Sequence, residues 1–420
     1  VPATKINNAI LVGVSLKRRP VWEIENSLEE LGGLAKTADY SVCGKVIQGT
    51  GRINPRCFIG EGKLEELLSL KESFAASLVI FDDDLSPAQC RNLEKALDCA
   101  VVDRCGLILD IFNRHARSRE AKTQVQLAHL EYLLPRLTGR WSHLSRQKGG
   151  IGLREVGEKQ LELDRRIVRK EIYRLQDKLK SIDNERHVQR KARDELFKAA
   201  IVGYTNVGKS TLMNRLTMSN LFVEDRLFAT LDACTRTLKK SGGKKILITD
   251  TVGFIDKLPH SLVASFKATL DEVRSADLLI KMIDIAHPRF EAQMASTQKV
   301  IGELESIDKP NFWVFNKVDR VPASLMENLR ARFPGSICIS AAKGDGCEEL
   351  ILEIIKIYEG RMVEREVVLA YQENALLQKI RKYGHIITEK YTENGILIHF
   401  RMEGKRLGLL EKIGLGPGKK

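Results

Sequence analysis

The sequence predicts an α/β protein in four parts: a small N-terminal parallel α/β domain over residues 1–113, a long antiparallel helical hairpin arm over 114–197, a larger α/β domain over 198–360 and a small α+β domain over 361–420. Three observations predict it. Short apolar runs alternate with helical stretches in two separate regions, the pattern of parallel strands joined by crossover helices. Between these regions lies a helical stretch with a seven-residue apolar rhythm. The chain has 420 residues, 43% of them hydrophobic, enough for several separate cores.

In the N-terminal region, Ala9–Val14, Ser41–Ile47, Leu78–Phe81 and Ala100–Val102 read as strands, and Ile24–Leu34, Leu64–Ser73 and Pro87–Leu97 as helices. Ser86 followed by Pro87 marks a helix start, a capping hydroxyl and then a proline at the first helical position. The turn Gly60-Glu61-Gly62-Lys63 precedes a helix and could hold an anion, but no dinucleotide or P-loop signature surrounds it, so a plain tight turn is the favoured reading.

Residues 114–198 hold 22 Lys and Arg against 12 Asp and Glu, a balance of +10 within a chain whose net charge is +13. Mixed charges on a solvated helix face should nearly cancel, so the excess points to RNA, with a solvated face and an acidic protein or lipid surface as the alternatives. Leu161, Val168, Ile172, Leu175, Leu179 and Ile182 keep the heptad rhythm of a coiled-coil seam, which predicts a helix over 158–196. The run Lys148-Gly149-Gly150-Ile151-Gly152-Leu153-Arg154-Glu155-Val156-Gly157 would be the loop at one end of the hairpin. Its glycines, flanked by Arg146, Lys148 and Arg154, allow a close backbone approach to RNA or protein; a flexible linker is the alternative.

The third region carries ordered phosphate and base motifs. Strand runs are expected at Ala199–Val202, Lys245–Thr249, Leu278–Ile285, Phe312–Phe315 and Ser336–Ile339. Gly203-Tyr204-Thr205-Asn206-Val207-Gly208-Lys209-Ser210 fits G-x-x-x-x-G-K-S between the first of these strands and a helix, the context such a loop requires. Its N–H groups would cradle phosphates, Lys209 would reach the β- and γ-phosphates and Ser210 would ligate Mg²⁺. Asp250-Thr251-Val252-Gly253 ends the next strand; Asp250 would hold Mg²⁺ through water and Gly253 would offer its N–H to the γ-phosphate.

Asn316-Lys317-Val318-Asp319 chooses the base. Asp319 can accept from the guanine ring N–H and exocyclic amine, a pair that adenine lacks. Lys317 can lie over the base plane, and Ser340-Ala341-Ala342 suits a loop whose N–H meets the guanine carbonyl. Together these motifs predict a P-loop GTPase domain that binds GTP or GDP with Mg²⁺. The first switch falls on Phe228-Ala229-Thr230-Leu231-Asp232-Ala233-Cys234-Thr235-Arg236, where Thr230 and Thr235 are both available as the Mg²⁺ ligand.

The catalytic candidates are Lys209, Asn206 and Gly253. The residue after the D-x-x-G motif is Phe254, where small signalling GTPases place the Gln that orients water, so intrinsic hydrolysis should be slow and completed by a partner. Asn206 occupies a position that resembles GTPases using K⁺ in place of an arginine finger; a structural role is the alternative.

The last region reads as βαββ(α), with a strand at Glu366–Tyr371, a helix near Ala375–Tyr383 and a hairpin ending at Ile396–Arg401. No apolar run approaches the roughly 18 residues of a membrane span, so no membrane is required. The first residues, Val1-Pro2-Ala3-Thr4-Lys5, show no secretory pattern. The eight scattered cysteines fit reduced thiols in the cytoplasm, and a monomer is expected.

These residues resemble the HflX family of bacterial GTPases. The resemblance rests on Lys148–Arg154 with Gly157-Glu158-Lys159-Gln160-Leu161-Glu162-Leu163-Asp164-Arg165-Arg166, on Gly203–Ser210, Phe228–Asp232 and Asp250–Phe254, and on Phe58–Lys63 and Leu85–Gln89 near the start. Departures are Val156 for the family's proline, Lys159 for its hydroxyl residue, and Ala233-Cys234 for its Pro-Thr. The resemblance implies Thr230 as the switch Mg²⁺ ligand. It also implies binding to the large ribosomal subunit and its rRNA near the peptidyl-transfer region, GTP hydrolysis stimulated there, and the splitting of stalled or idle ribosomes under stress. The alternatives are an assembly factor for that subunit, a GTPase regulating a non-ribosomal protein or membrane partner, and a nucleotide-dependent RNA remodeller.

Overall fold

A computed structural model describes residues 7–16, 20–137, 156–191, 196–218, 227–228, 231–239, 246–257, 267–304, 306 and 308–411. The first compact unit runs to Gly344, and a second begins at Asp345. The N-terminal sheet, the arm and the strands that carry the nucleotide motifs share the first.

The N-terminal domain is a four-stranded parallel sheet in the order β2-β1-β3-β4. The strands are β1 (Asn7–Leu16), β2 (Tyr40–Thr50), β3 (Leu78–Phe81) and β4 (Ala100–Asp103). The helices are α1 (Val21–Thr37), α2 (Glu61–Ser73), α3 (Pro87–Leu97) and α4 (Arg104–His115). Helix α3 starts where the sequence places it: Ser86 and Gln89 form a capping box, with Gln89 N–H to Ser86 Oγ at 3.3 Å and Ser86 N–H to Gln89 Oε1 at 2.9 Å. Helix α4 is not anticipated. The Asp103 side chain caps it by accepting the Gly106 N–H at 2.9 Å, and Leu107, Ile108, Leu109, Ile111 and Phe112 are all buried.

The arm is built from α5 (Arg119–Leu133) and α6 (Val156–Lys191). Leu137 meets Arg165 while Glu131 meets Gln176, so the two run antiparallel. Their seam buries Leu127, Ile172 and Leu175, with Leu130, Leu134, Val168 and Leu179 packed alongside. Four of the predicted heptad positions therefore meet α5, and Ile182 is also buried. At 36 residues α6 spans about 54 Å. The glycine run 148–155 and the Leu161 side chain lie outside the described residues.

The third region forms a six-stranded sheet in the order β10-β9-β8-β5-β7-β6. Its strands are β5 (Phe197–Gly203), β6 (Cys234–Thr237), β7 (Ile246–Asp250), β8 (Leu278–Asp284), β9 (Asn311–Asn316) and β10 (Ile337–Cys338). All pairings are parallel except that of β6 with β7. Around it lie α7 (Lys209–Thr217), α8 (Lys267–Ser275), α9 (Phe290–Glu303) and α10 (Ala323–Arg332). The motif loops leave the carboxyl ends of β5, β7 and β9, which lie close together in the sheet and bring distant motifs to one edge.

The second unit begins with α11 (Cys347–Gly360) and holds an antiparallel sheet in the order β11-β13-β12: β11 (Met362–Leu369), β12 (His385–Thr392) and β13 (Gly395–Glu403). With α12 (Asn374–Tyr383) and α13 (Gly404–Glu411) this is the expected βαββα order. Its core is centred on Ile398, Phe400, Met402 and Ile380.

Candidate guanine-nucleotide site

The P-loop joins β5 to α7, and its backbone is fixed by contacts that only small residues permit. A side chain at Gly203 would place a Cβ 2.2 Å from the Met282 carbonyl oxygen. Gly208 has φ +96°, and a Cβ there would lie 2.5 Å from Asn316 Nδ2. Asn206 itself adopts a left-handed φ of 60°, a conformation Asn tolerates better than most residues.

Lys209 is buried at the first position of α7 and donates to the carbonyl oxygens of Tyr204 at 2.7 Å and Gly203 at 3.3 Å. Burial pulls its ammonium down to about 8, and Asp250 works against that shift. A polyphosphate placed there would meet a charge with little competing hydration. Ser210 Oγ donates to Asp250 Oδ2 at 2.6 Å. Asp250 is fully buried, and its Oδ1 has no hydrogen-bond partner among the described residues. Burial raises the Asp250 carboxyl above its ordinary value. A hydroxyl and a buried, underused carboxylate oxygen form a hard-oxygen donor set that fits Mg²⁺.

Gly253 lies against the P-loop: a Cβ there would be 2.7 Å from Thr205 Cα and 2.9 Å from Lys209 Nζ. The next residue continues the contact. Phe254 N–H donates to Gly203 O at 3.0 Å, and Thr205 N–H donates to Phe254 O at 2.8 Å. The Phe254 side chain is buried. Thr251 is held from below, its hydroxyl donating to Ile201 O at 2.7 Å.

Asn316 ties its own loop and the Ser340-Ala341-Ala342 loop to the P-loop. Its Nδ2 donates to Val207 O at 2.7 Å, and its Oδ1 accepts the Ala341 N–H at 2.9 Å. Three predicted motifs thus meet on one side chain. Lys317 donates to Asn206 O at 3.1 Å and pairs with Asp284 Oδ2 at 2.6 Å, which fixes its aliphatic stem across the site. Asp284, at the end of β8, is a member of the site that the motifs do not reveal. Asp319 is exposed, and the Ser340 side chain holds its carboxyl below the ordinary range, leaving an anionic acceptor. Ser340 is buried and its Oγ accepts the Lys343 N–H at 3.2 Å, which closes the Ser340-Ala341-Ala342 turn.

The first switch is only partly described: Ala229 and Thr230 lie outside the described residues, while Phe228, Leu231 and Asp232 lie within them. Thr235 stands on β6 opposite Thr249, and the two hydroxyls are 3.0 Å apart. Neither Thr235 nor the carboxylate of Asp232 joins the P-loop cluster; Asp232 is bound instead by Arg117 and Ser118.

A cleft of about 740 Å³ opens beside the P-loop. Tyr204, Asn206, Val207 and Asp284 line one side, and Glu30 and Gly33 of α1 the other. The N-terminal domain is therefore a wall of this cleft, which no local motif predicts.

Comparison with known proteins agrees with this geometry. The patterns described as GTP-binding GTPase N-terminal, GTP-binding GTPase Middle Region and 50S ribosome-binding GTPase match residues 25–113, 115–193 and 198–317. GTPase HflX of Lacrimispora saccharolytica is 45% identical over 393 residues, covering 93% of this chain and 92% of that protein. The chain belongs to the HflX family. GTPase HflX of Escherichia coli K12 is 39% identical over 378 residues, covering 88% of this chain and 87% of its own. Among solved structures, a GTP-binding protein from Sulfolobus solfataricus in complex with GDP covers 83% of this chain and 98% of its own at 26% identity and a TM-score of 0.43. As an HflX-family member the chain is a GTPase that binds guanine nucleotide with Mg²⁺. Among the described residues no helix is long and apolar enough to cross a membrane.

Proposed function

We propose that this GTPase acts on the large ribosomal subunit, contacts its rRNA through the arm and splits or recycles stalled or idle ribosomes, with GTP hydrolysis driving release. The observation that carries this reading is the concentration of positive charge: +10 of the chain's +13 falls on residues 114–198, most of which form the arm. Arg166, Arg169, Lys170 and Arg174 on α6 are exposed, as a phosphate-contacting surface requires. The family pattern over residues 198–317, described as 50S ribosome-binding GTPase, supports the same partner.

In this reading the β- and γ-phosphates lie against Lys209 and the N–H groups of the P-loop. Ser210 and Thr230 ligate Mg²⁺, and Asp250 holds it through water. Gly253 offers its N–H to the γ-phosphate, while Asp319, Lys317 and the Ser340-Ala341-Ala342 turn read guanine. Phe254 supplies no hydrogen bond to a water, so the partner completes the catalytic site. Asn206, in its left-handed conformation at the P-loop, would hold a K⁺ that offsets transition-state charge. The protein works as a monomer in the cytoplasm, with its domains divided at about residues 113, 197 and 360.

The test is GTP turnover by the whole protein with and without purified large subunits, in K⁺ and in Na⁺, with Lys209→Ala as the blank. Stimulation of about 10-fold or more, lost in Na⁺, is expected. No stimulation together with no co-sedimentation would overturn the ribosomal reading. Stronger binding to immature than to mature subunits would favour an assembly role instead.

A further inference from the structure

The described part of the first switch is held by the N-terminal domain and the root of the arm. Asp232 Oδ2 accepts the N–H groups of Ser118 at 3.0 Å and Arg117 at 3.2 Å, and its Oδ1 accepts the Ser118 hydroxyl. Ser118 is the N-cap of α5, and its Oγ accepts the Ala121 N–H at 3.0 Å. Asp232 thus adds a carboxylate to the positive end of the helix that begins the arm.

A second anchor lies just upstream. Phe228 is 2% exposed, and its ring meets Phe112 of α4 edge-on, with centroids 4.7 Å apart and planes at 82°. Leu227 packs against Gly33 of α1, where an added Cβ would lie 3.2 Å from Leu227 Cδ1. The switch is therefore pinned on both sides of positions 229 and 230. Since α5 shares its apolar seam with α6, displacement of Asp232 acts on the base of the whole arm.

We propose that Asp232 is a positioning residue that ties the first switch to the N-terminus of α5, so that the nucleotide and the arm bias one another through a single carboxylate. The proposal rests on the reading of Thr230 as the Mg²⁺ ligand. Were Thr230 to ligate Mg²⁺ beside the γ-phosphate, Asp232 would shift with it, and α5 would take the position the nucleotide selects. The coupling is reciprocal: whatever fixes the arm alters affinity for GTP relative to GDP. An Asn at this position keeps the shape but loses the charge, and its amide group can turn a donor toward the donors of α5.

The experiment compares the wild-type protein with Asp232→Ala, Ser118→Ala and Thr230→Ala. It reads hydrogen exchange at amides 117–122 and affinities for GDP and a non-hydrolysable GTP analogue. In the wild type, protection of amides 117–122 should differ between the two nucleotides. Asp232→Ala should erase that difference and lower the GTP-to-GDP affinity ratio about 5- to 100-fold, with GDP affinity kept within about 2-fold as a check on folding. Ser118→Ala should act in the same direction more weakly, because both backbone N–H contacts survive. Wild-type exchange and a wild-type affinity ratio in both Asp232→Ala and Ser118→Ala would overturn the proposal. A Thr230→Ala protein with an unchanged ratio would instead sink the Mg²⁺ reading, and the nucleotide-dependent exchange of 117–122 in Asp232→Ala would then decide the tie alone.

Discussion

The hydroxyl of Tyr204 in the P-loop is hydrogen-bonded to the carboxylate of Glu30 in the N-terminal domain, 174 positions away. The same oxygen accepts the Asp256 N–H at 2.6 Å, three residues after Gly253. One buried phenol thus joins the P-loop, the segment after D-x-x-G and α1, and burial beside Glu30 raises its pKa, so it remains a donor. Tyr204→Phe keeps the ring and removes the oxygen, leaving Glu30 and the Asp256 N–H each short of a partner. The expected loss is about 1–3 kcal/mol of stability, measured by denaturant unfolding of the nucleotide-free protein, while a separate titration should show that the variant keeps its ability to bind GDP.

Glu30 is one end of a longer charge chain. Arg104, with a side chain 1% exposed, pairs with Glu30 and with Asp82, the latter at 2.8 Å. Asp82 is paired in turn with Lys257, just beyond the D-T-V-G motif. Arg104→Met deletes the buried cation shared by two carboxylates, leaving Asp82 to Lys257 and Glu30 to Tyr204, and should cost about 3 kcal/mol. The double variant Arg104→Met with Asp82→Asn should recover part of that loss, because the neutral amide is cheaper to bury. A single Arg104→Met melting like the wild type would show that the pair is exposed in solution.

This cluster also sets an acid limit. Burial pushes the Asp82 carboxyl up, but Arg104 and Lys257 outweigh it and hold it below its ordinary value. A depressed carboxyl contributes stability that is present above the unfolded value and is lost as pH falls through the folded one. Lys257→Met removes one of the two cations and raises the folded value. The loss should therefore begin at a higher pH than in the wild type, seen in thermal melts taken from pH 6 down to pH 3.

The chemistry of the site was more legible than its surroundings. Gly203–Ser210, Asp250–Gly253 and Asn316–Asp319 could be read because phosphate, Mg²⁺ and guanine each demand particular residues at set distances after a strand. Strand β6, Cys-Thr-Arg-Thr, is hard to read because it is polar and lies at a sheet edge, paired with β7 on one side. Helix α4 is hard to read because Leu107-Ile108-Leu109 and Ile111-Phe112 form a nearly continuous apolar run, which fits a buried strand as well as a helix. The links from Tyr204 to Glu30 and from Asp232 to Ser118 left no trace in local sequence, since each partner is an ordinary residue over a hundred positions away. Asp284 could have been suspected from its place at the carboxyl end of a central strand.

Base choice should follow Asp319 directly. Its carboxylate is exposed and held anionic by Ser340, ready to accept two N–H groups from one base edge. Asp319→Asn replaces an acceptor with a donor, which opposes guanine and suits xanthine, whose second carbonyl replaces the exocyclic amine. GTP affinity should fall about 100-fold or more while XTP affinity rises, measured by competition against a fluorescent nucleotide. Unchanged preference for GTP would remove Asp319 from the base site.

Phe254 stands where a water-orienting Gln would be expected, which suggests that Phe254→Gln should speed intrinsic hydrolysis. The structure argues the reverse. The side chain is 5% exposed, and the backbone on both sides of it is locked to Gly203 and Thr205. A Gln here would place an amide at a buried position whose backbone is already fixed. The expected outcome is a stability loss of about 2–4 kcal/mol with no gain in turnover in the absence of a partner. Thermal melting and single-turnover hydrolysis measure the two effects separately. Faster turnover at an undiminished melting temperature would mean that this segment swings out when GTP binds, and that the missing water ligand is a matter of residue type rather than of burial.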